Sequence, residues 1–168
     1  MLNFLRAYKH YDPAAKSLLE IVFLYPGPKA IFLFRIAHIF YKIRLYFIAR
    51  LISECARLAT GIEIHPGATI GSRLVIDHGM GLVIGETSEI GDDCILFHGV
   101  TLGGVRFDPV KRHPTLCDKV LVGAGAKILG PIKLGNGCRI GANAVVTKNV
   151  PDGLTLVAPP AQSPPDRS

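Results

Sequence analysis

The chain of 168 residues has no C-x-x-C pair, no secretory leader pattern and no membrane-length apolar run free of charge. Each absence removes a class of protein. Cys55, Cys94, Cys117 and Cys138 stand far apart, which excludes the paired-thiolate zinc and redox spacings and makes a reduced, cytoplasmic setting the expectation. The most apolar stretch, Ile31 to Ile52, carries Arg35, His38, Lys42, Arg44 and Arg50. A charge at bilayer depth costs about 2.5–3.5 kcal/mol, so an amphipathic helix packed on protein is expected there and membrane insertion is not. No RNP, zinc-finger or helix-turn-helix pattern is present, and the basic residues are interleaved with aliphatic ones, so no nucleic-acid partner is expected.

Glycine is nearly absent from the first third: only Gly27 precedes Gly61, and seventeen of the eighteen glycines follow. The net charge of +6 lies on the other side of that boundary, since residues 1–60 hold nine Lys/Arg against three Asp/Glu. With 49% hydrophobic residues the chain can bury one core. Residues 1–60 read as a short helical arm, with helices after Asp12-Pro13, where Asp12 is the candidate N-cap, and after Pro26-Gly27-Pro28. Residues 156–168, rich in proline, read as a flexible tail.

Between these, residues 61–155 carry a repeat of six. Aliphatic residues stand at Ile64, Ile70 and Ile76, then at Ile84, Ile90, Leu96 and Leu102, then at Leu116, Val122, Ile128, Leu134, Ile140 and Val146. Glycine follows seven of them, and a small or apolar residue, among them Met80, Cys94 and Cys138, stands four positions on, except at Arg106. Six residues make one short strand and a turn, so three units close a triangular coil whose aliphatic position points inward and stacks on its counterpart eighteen residues later. The glycine supplies a positive φ or a close approach at the corner. A mainly β, parallel β-helical solenoid follows. The glycines of Gly123-Ala-Gly-Ala-Lys-Ile-Leu-Gly130 belong to it and not to a dinucleotide fingerprint, because Ile128 stands where glycine is needed.

The register breaks twice, by two residues between Ile76 and Ile84 and by eight between Leu102 and Leu116, which gives a loop over 103–115. Departures from a rigid scaffold are where function sits. Each break carries a histidine, His78 and His113, and His78 has Asp77 before it and Glu63 about one coil below. A carboxylate beside an imidazole fixes its tautomer and makes a general base for a hydroxyl or amine. His78 and His113 are about two coils apart and would meet where a loop of one subunit reaches a neighbour's face. A zinc site needs a third ligand histidine, and none follows His113, so no metal is expected.

The segments Gly61-Ile-Glu-Ile-His-Pro-Gly-Ala-Thr-Ile-Gly71, Ile76-Asp-His-Gly-Met-Gly81, Ile84-Gly-Glu-Thr87, Val100-Thr-Leu-Gly-Gly104, Arg112-His-Pro114 and Gly123 to Gly130 resemble the hexapeptide-repeat acyltransferases, and among them the serine O-acetyltransferase family. The resemblance covers roughly residues 5–155. It implies a left-handed parallel β-helix, homotrimeric or paired into a dimer of trimers, that transfers acetyl from acetyl-CoA to the L-serine hydroxyl for cysteine biosynthesis. Carried onto this chain it makes His78 the base, Glu63 its partner, Asp12 and Asp77 the ligands of the serine amino group, and Arg112 and His113 those of its carboxylate. Gly103, Gly104, Ala124 and Ala142 would line the coenzyme arm. A complex with O-acetylserine sulfhydrylase is not expected, because the chain ends in Ser168 where the family's complex uses isoleucine. A related O-acyltransferase acting on a sugar or antibiotic hydroxyl is the alternative.

Overall fold

A computed structural model describes residues 2–160, and part of the tail, 161–168, lies outside the described residues. Four helices, α1 (Leu2–Tyr11), α2 (Leu18–Leu24), α3 (Pro26–Lys42) and α4 (Tyr46–Thr60), precede fourteen short strands. The strands form three flat faces. The first holds β1 (Glu63–Ile64), β4 (Val83–Ile84), β7 (Thr101–Gly103), β10 (Lys127–Leu129) and β13 (Val145–Val146). On the second are β2 (Thr69–Ile70), β5 (Glu89–Ile90), β8 (Thr115–Leu116) and β11 (Lys133–Leu134). β3 (Val75–Asp77), β6 (Ile95–Phe97), β9 (Leu121–Val122), β12 (Arg139–Ile140) and β14 (Thr155–Leu156) make the third.

Every ladder is parallel, and its register follows the repeat. Leu102 lies beside Ile84, and Val146 beside Ile128, each eighteen residues on. Ile84 lies beside Ile64 at a spacing of twenty, and Ile128 beside Leu102 at twenty-six, which are the eighteen-residue coil lengthened by the two-residue and eight-residue breaks. All thirteen aliphatic positions are buried, none more than 5% exposed. Cys94 and Cys138 fill the second inward position, and burial pushes their thiols up to about 12 and about 11, so both are inert filler at neutral pH.

One expectation about the repeat needs correction, and one choice it left open is decided. Met80 is exposed, because the two-residue bulge moves Leu82 into the inward place. The glycine after each aliphatic residue serves close approach and not a positive φ: a Cβ on Gly123 would stand 2.8 Å from the Ala142 nitrogen, whereas the left-handed corner positions are held by residues such as His78, Asp93, Gly99 and Gly125.

The arm also differs from its expectation. Asp12 caps no helix; α1 ends at Tyr11, and Asp12 accepts the Ala14 N–H at 2.8 Å in a local turn. The following helix starts at Ser17, whose hydroxyl accepts the Glu20 N–H, the Ser-x-x-Glu signature of a helix start. The apolar stretch from Ile31 breaks at Arg44 (φ 64°) into α3 and α4, and no helix among the described residues is long and apolar enough to cross a membrane. Ala30, Ile31 and Phe34 of α3 join the solenoid core around Ile62 and Ile64.

Tyr8 of α1 is buried, and its hydroxyl accepts the Ile76 N–H at 3.0 Å. Gly27 makes that contact possible, since a Cβ there would lie 2.6 Å from the Ile76 carbonyl oxygen. Gly27→Ala is therefore expected to cost about 1–3 kcal/mol through overpacking. The measurements are the thermal midpoint, which should fall by several degrees, and limited proteolysis, which should cut the arm before the solenoid.

Candidate active site

The predicted site residues fall at two corners of the triangular coil, on opposite edges of the first face. At the corner between the third and first faces, His78 takes the left-handed conformation (φ 58°), which throws its side chain outward, 75% exposed. Its Nε2 lies 3.9 Å from Asp77 Oδ1, and its ring meets that of His98, one coil on, edge to face with centroids 5.7 Å apart. The arm brings Asp12 to the same corner, where its carboxylate accepts a hydrogen bond from the Tyr25 hydroxyl. That bond, then the Ala14 N–H and the nearby His78, hold the Asp12 carboxyl below the usual carboxylate range. The same bond is the main reason the Tyr25 hydroxyl is pushed up to about 12.

Glu63 starts β1 on the outward side of the first face. No hydrogen bond joins it to His78; among the described residues Asp77 is the one carboxylate within 4 Å of a nitrogen of that ring, and Arg57 of α4 is a charge acting near Glu63.

The second corner, between the first and second faces, holds Arg112 and His113. Arg112 Nη2 donates to Glu86 Oε2 at 2.8 Å, and Tyr41 donates to the other Glu86 oxygen at 3.0 Å. His113 is buried, and burial followed by the Arg112 charge lowers its pKa, which favours the neutral ring. Its Nδ1 accepts the Thr87 N–H at 3.2 Å. A backbone N–H can only donate, so the ring proton sits on Nε2, which is left as a donor. His65, on this corner one coil below, is pushed down to about 4, chiefly by burial.

The four coenzyme candidates divide in the same way. The register of β6, β9 and β12 stacks His98, Ala124 and Ala142 in line above His78. Gly104 belongs to the other corner: a Cβ on it would be 3.2 Å from Arg112 Cγ and 3.3 Å from His113 Nε2. Gly103 ends β7 on that edge. One corner thus offers the carboxylates of Asp12 and Asp77 with an imidazole, the other a guanidinium held by Glu86 with an imidazole N–H. About 13 Å of extended chain separates them, at ~3.3 Å per residue over the few residues of the first face, which is too far for one amino acid to touch both.

Tyr25, Tyr41, Glu86 and Thr87 were not among the residues given a role from sequence. The Gly-Glu-Thr87 segment was a signal for two of them, whereas Tyr25 and Tyr41 reach the site only through the docking of the arm.

Coils of six-residue units carrying these groups define a hexapeptide-repeat acyltransferase. Residues 113–148 match the family described as bacterial transferase hexapeptide (six repeats). The chain is 58% identical over 152 residues to serine acetyltransferase of Helicobacter pylori (strain J99), covering 90% of this chain and 89% of that protein. It is 52% identical over 158 residues to serine acetyltransferase of Mycobacterium tuberculosis, covering 94% and 69%. Serine acetyltransferase isoform 3 of Entamoeba histolytica in complex with cysteine superposes with TM-score 0.92 at 41% identity, over 98% of this chain and 59% of that one. Neisseria gonorrhoeae serine acetyltransferase in complex with serine gives TM-score 0.88 at 36% identity, over 95% and 65%. The chain therefore spans less than two thirds of those two solved chains. It belongs to the serine acetyltransferase family and has that family's left-handed parallel β-helix.

Two outcomes follow from the corner geometry. Tyr25→Phe removes the main cause of the low Asp12 pKa, so an NMR titration of the Asp12 carboxyl should move up toward the ordinary value while the thermal midpoint changes little. His65 has a folded pKa below its unfolded one, so the unfolded chain takes up the proton first as pH falls. Stability should drop from about pH 6.5 to about pH 4 and then level off, and His65→Asn should remove that part of the pH dependence in urea melts.

Proposed function

We propose that the chain transfers acetyl from acetyl-CoA to the hydroxyl of L-serine, giving O-acetyl-L-serine and free CoA, a step of cysteine biosynthesis in the cytoplasm. The observation that carries the reading is the set of groups on the two edges of the first face: Asp12 and Asp77 beside His78 on one, and on the other the Arg112 guanidinium, held by Glu86, beside the His113 donor, the two signs that a zwitterion requires. That a Neisseria gonorrhoeae relative binds serine supports it. A homotrimer in which the His78 edge of one subunit faces the His113 edge of the next would bring both sets onto one substrate; pairing of two such trimers through the arm is a further assembly open to it.

In this reading Asp12 and Asp77 take the serine ammonium, and Arg112 and His113 its carboxylate. His78 removes the hydroxyl proton as the oxygen attacks the thioester carbonyl. The tetrahedral adduct then expels the CoA thiolate, and the His78 imidazolium returns the proton to it, so the ring ends as it began. Glu63 lies about one coil below, on the outward side of the first face, and is a further carboxylate of this edge in the reading, as partner of His78. Small side chains at Gly103, Gly104, Ala124 and Ala142 leave room for the pantetheine arm to approach the backbone. No step uses a metal.

A thiol-release assay with acetyl-CoA and a panel of acceptors tests this. CoA should be released with L-serine and not with sugars or aminoglycosides. His78→Ala should lower kcat by about 10²–10⁴ with the thermal midpoint unchanged. Release with sugar hydroxyls alone would establish the alternative acyltransferase and overturn the reading.

A further inference from the structure

Thr87 makes five polar contacts at the corner that carries Arg112 and His113. Its Oγ1 accepts the Arg112 N–H at 3.0 Å and the His113 N–H at 3.1 Å, and lies 2.9 Å from His113 Nδ1. Its own N–H donates to that Nδ1 at 3.2 Å, and its carbonyl accepts from Lys111 Nζ at 2.6 Å. With both acceptor directions of the hydroxyl taken by backbone N–H groups, its proton is free to point at Nδ1. Two donors therefore converge on Nδ1, and one oxygen fixes two consecutive backbone amides where the 103–115 loop re-enters the coil.

We propose that Thr87 is a positioning residue for the substrate: it holds the Nε2–H tautomer of His113 and fixes the backbone that aims Arg112 and His113 at a carboxylate. This rests on the reading that these two side chains bind the serine carboxylate. Thr87 touches no substrate itself. A ring with its proton on Nδ1 would present a lone pair to an anion and repel it, and a slack backbone would spread the fork of Arg112 over several orientations. The bland role, a loop staple, predicts lost stability without a change specific to serine.

The test compares Thr87→Val, which keeps the shape and loses the hydroxyl, with Thr87→Ser, which keeps the hydroxyl. Selective ¹⁵N labelling of histidine, with His113 assigned by its absence in His113→Asn, reads the tautomer in the full chain without any assay of activity. The wild type should show one tautomer with the proton on Nε2, and Thr87→Val, which keeps the backbone N–H on Nδ1, should keep that tautomer while its Nδ1 resonance shifts with the loss of the hydroxyl donor. Steady-state kinetics should give a KM for L-serine raised about 10-fold or more in Thr87→Val, with kcat and the KM for acetyl-CoA within about 3-fold, and near-normal values in Thr87→Ser. A wild-type His113 protonated on Nδ1, or a Thr87→Val enzyme with an unchanged ring spectrum and an unchanged serine KM, overturns the proposal. If the wild type transfers acetyl to no amino acid, the functional reading fails, and the ¹⁵N spectra still decide whether Thr87 holds the ring.

Discussion

Inward aliphatic side chains stacked coil on coil, with the parallel hydrogen bonds that lock their register, are the constraint on which the remaining structure depends. Because strands repeat side-chain direction every two residues, a one-residue slip would turn every inward Ile, Leu and Val outward. The register is therefore enforced by the whole core at once, and any residues added to one coil must leave it as a bulge or a loop. The two-residue bulge at Asp77–Met80 and the 103–115 loop are those departures. Each places polar side chains at a corner without disturbing the coils on either side, which is how a rigid apolar column comes to carry one exposed histidine, His78, and one buried and held one, His113.

The same register explains how the site is sorted. Corners stack as the faces do, so a functional position on one coil is continued by its counterparts on the next, and His78, His98, Ala124 and Ala142 form one line. The second line runs past His65, Thr87 and His113. A triangular column keeps these lines apart by the width of a face, and no side-chain motion closes that gap. The arm adds what the column lacks. It delivers Asp12, held by Tyr25, to the first corner, and Tyr41, held against Glu86, to the second. Its seat on the column is the buried contact of Tyr8 and Gly27 with Ile76.

Much of this was legible in the sequence, because period is a strong signal when the burial is one-sided and repeated. Ile64 through Val146 gave the coil, the eight-residue excess after Leu102 gave the loop, and the histidines in the two breaks led to the two corners. What escaped was local or tertiary. Asp12-Pro13 carries the marks of a helix start, yet the chain there turns toward Tyr25, and the Ser17-x-x-Glu20 cap is the one that the helix uses. Met80 fits the six-residue template by count but follows a bulge, which the count does not see. Thr87 stands between two coil residues and is unremarkable until Arg112 and His113 return to it from twenty-five and twenty-six positions away. The pairing of Glu63 with His78 was drawn from coil spacing and from resemblance, and no hydrogen bond joins the two in this structure.

The central claim, that the catalytic imidazole and the carboxylate-binding pair act on one serine from two different subunits, is tested most directly by mixing two crippled chains. His78→Ala and Arg112→Ala, carrying different affinity tags, are coexpressed, and trimers holding both tags are isolated. Every such ring has one interface with His78 from one chain and Arg112 from the next, so acetyl transfer to serine should return to about one third of the wild-type rate. Mixed rings no more active than either parent would contradict the account.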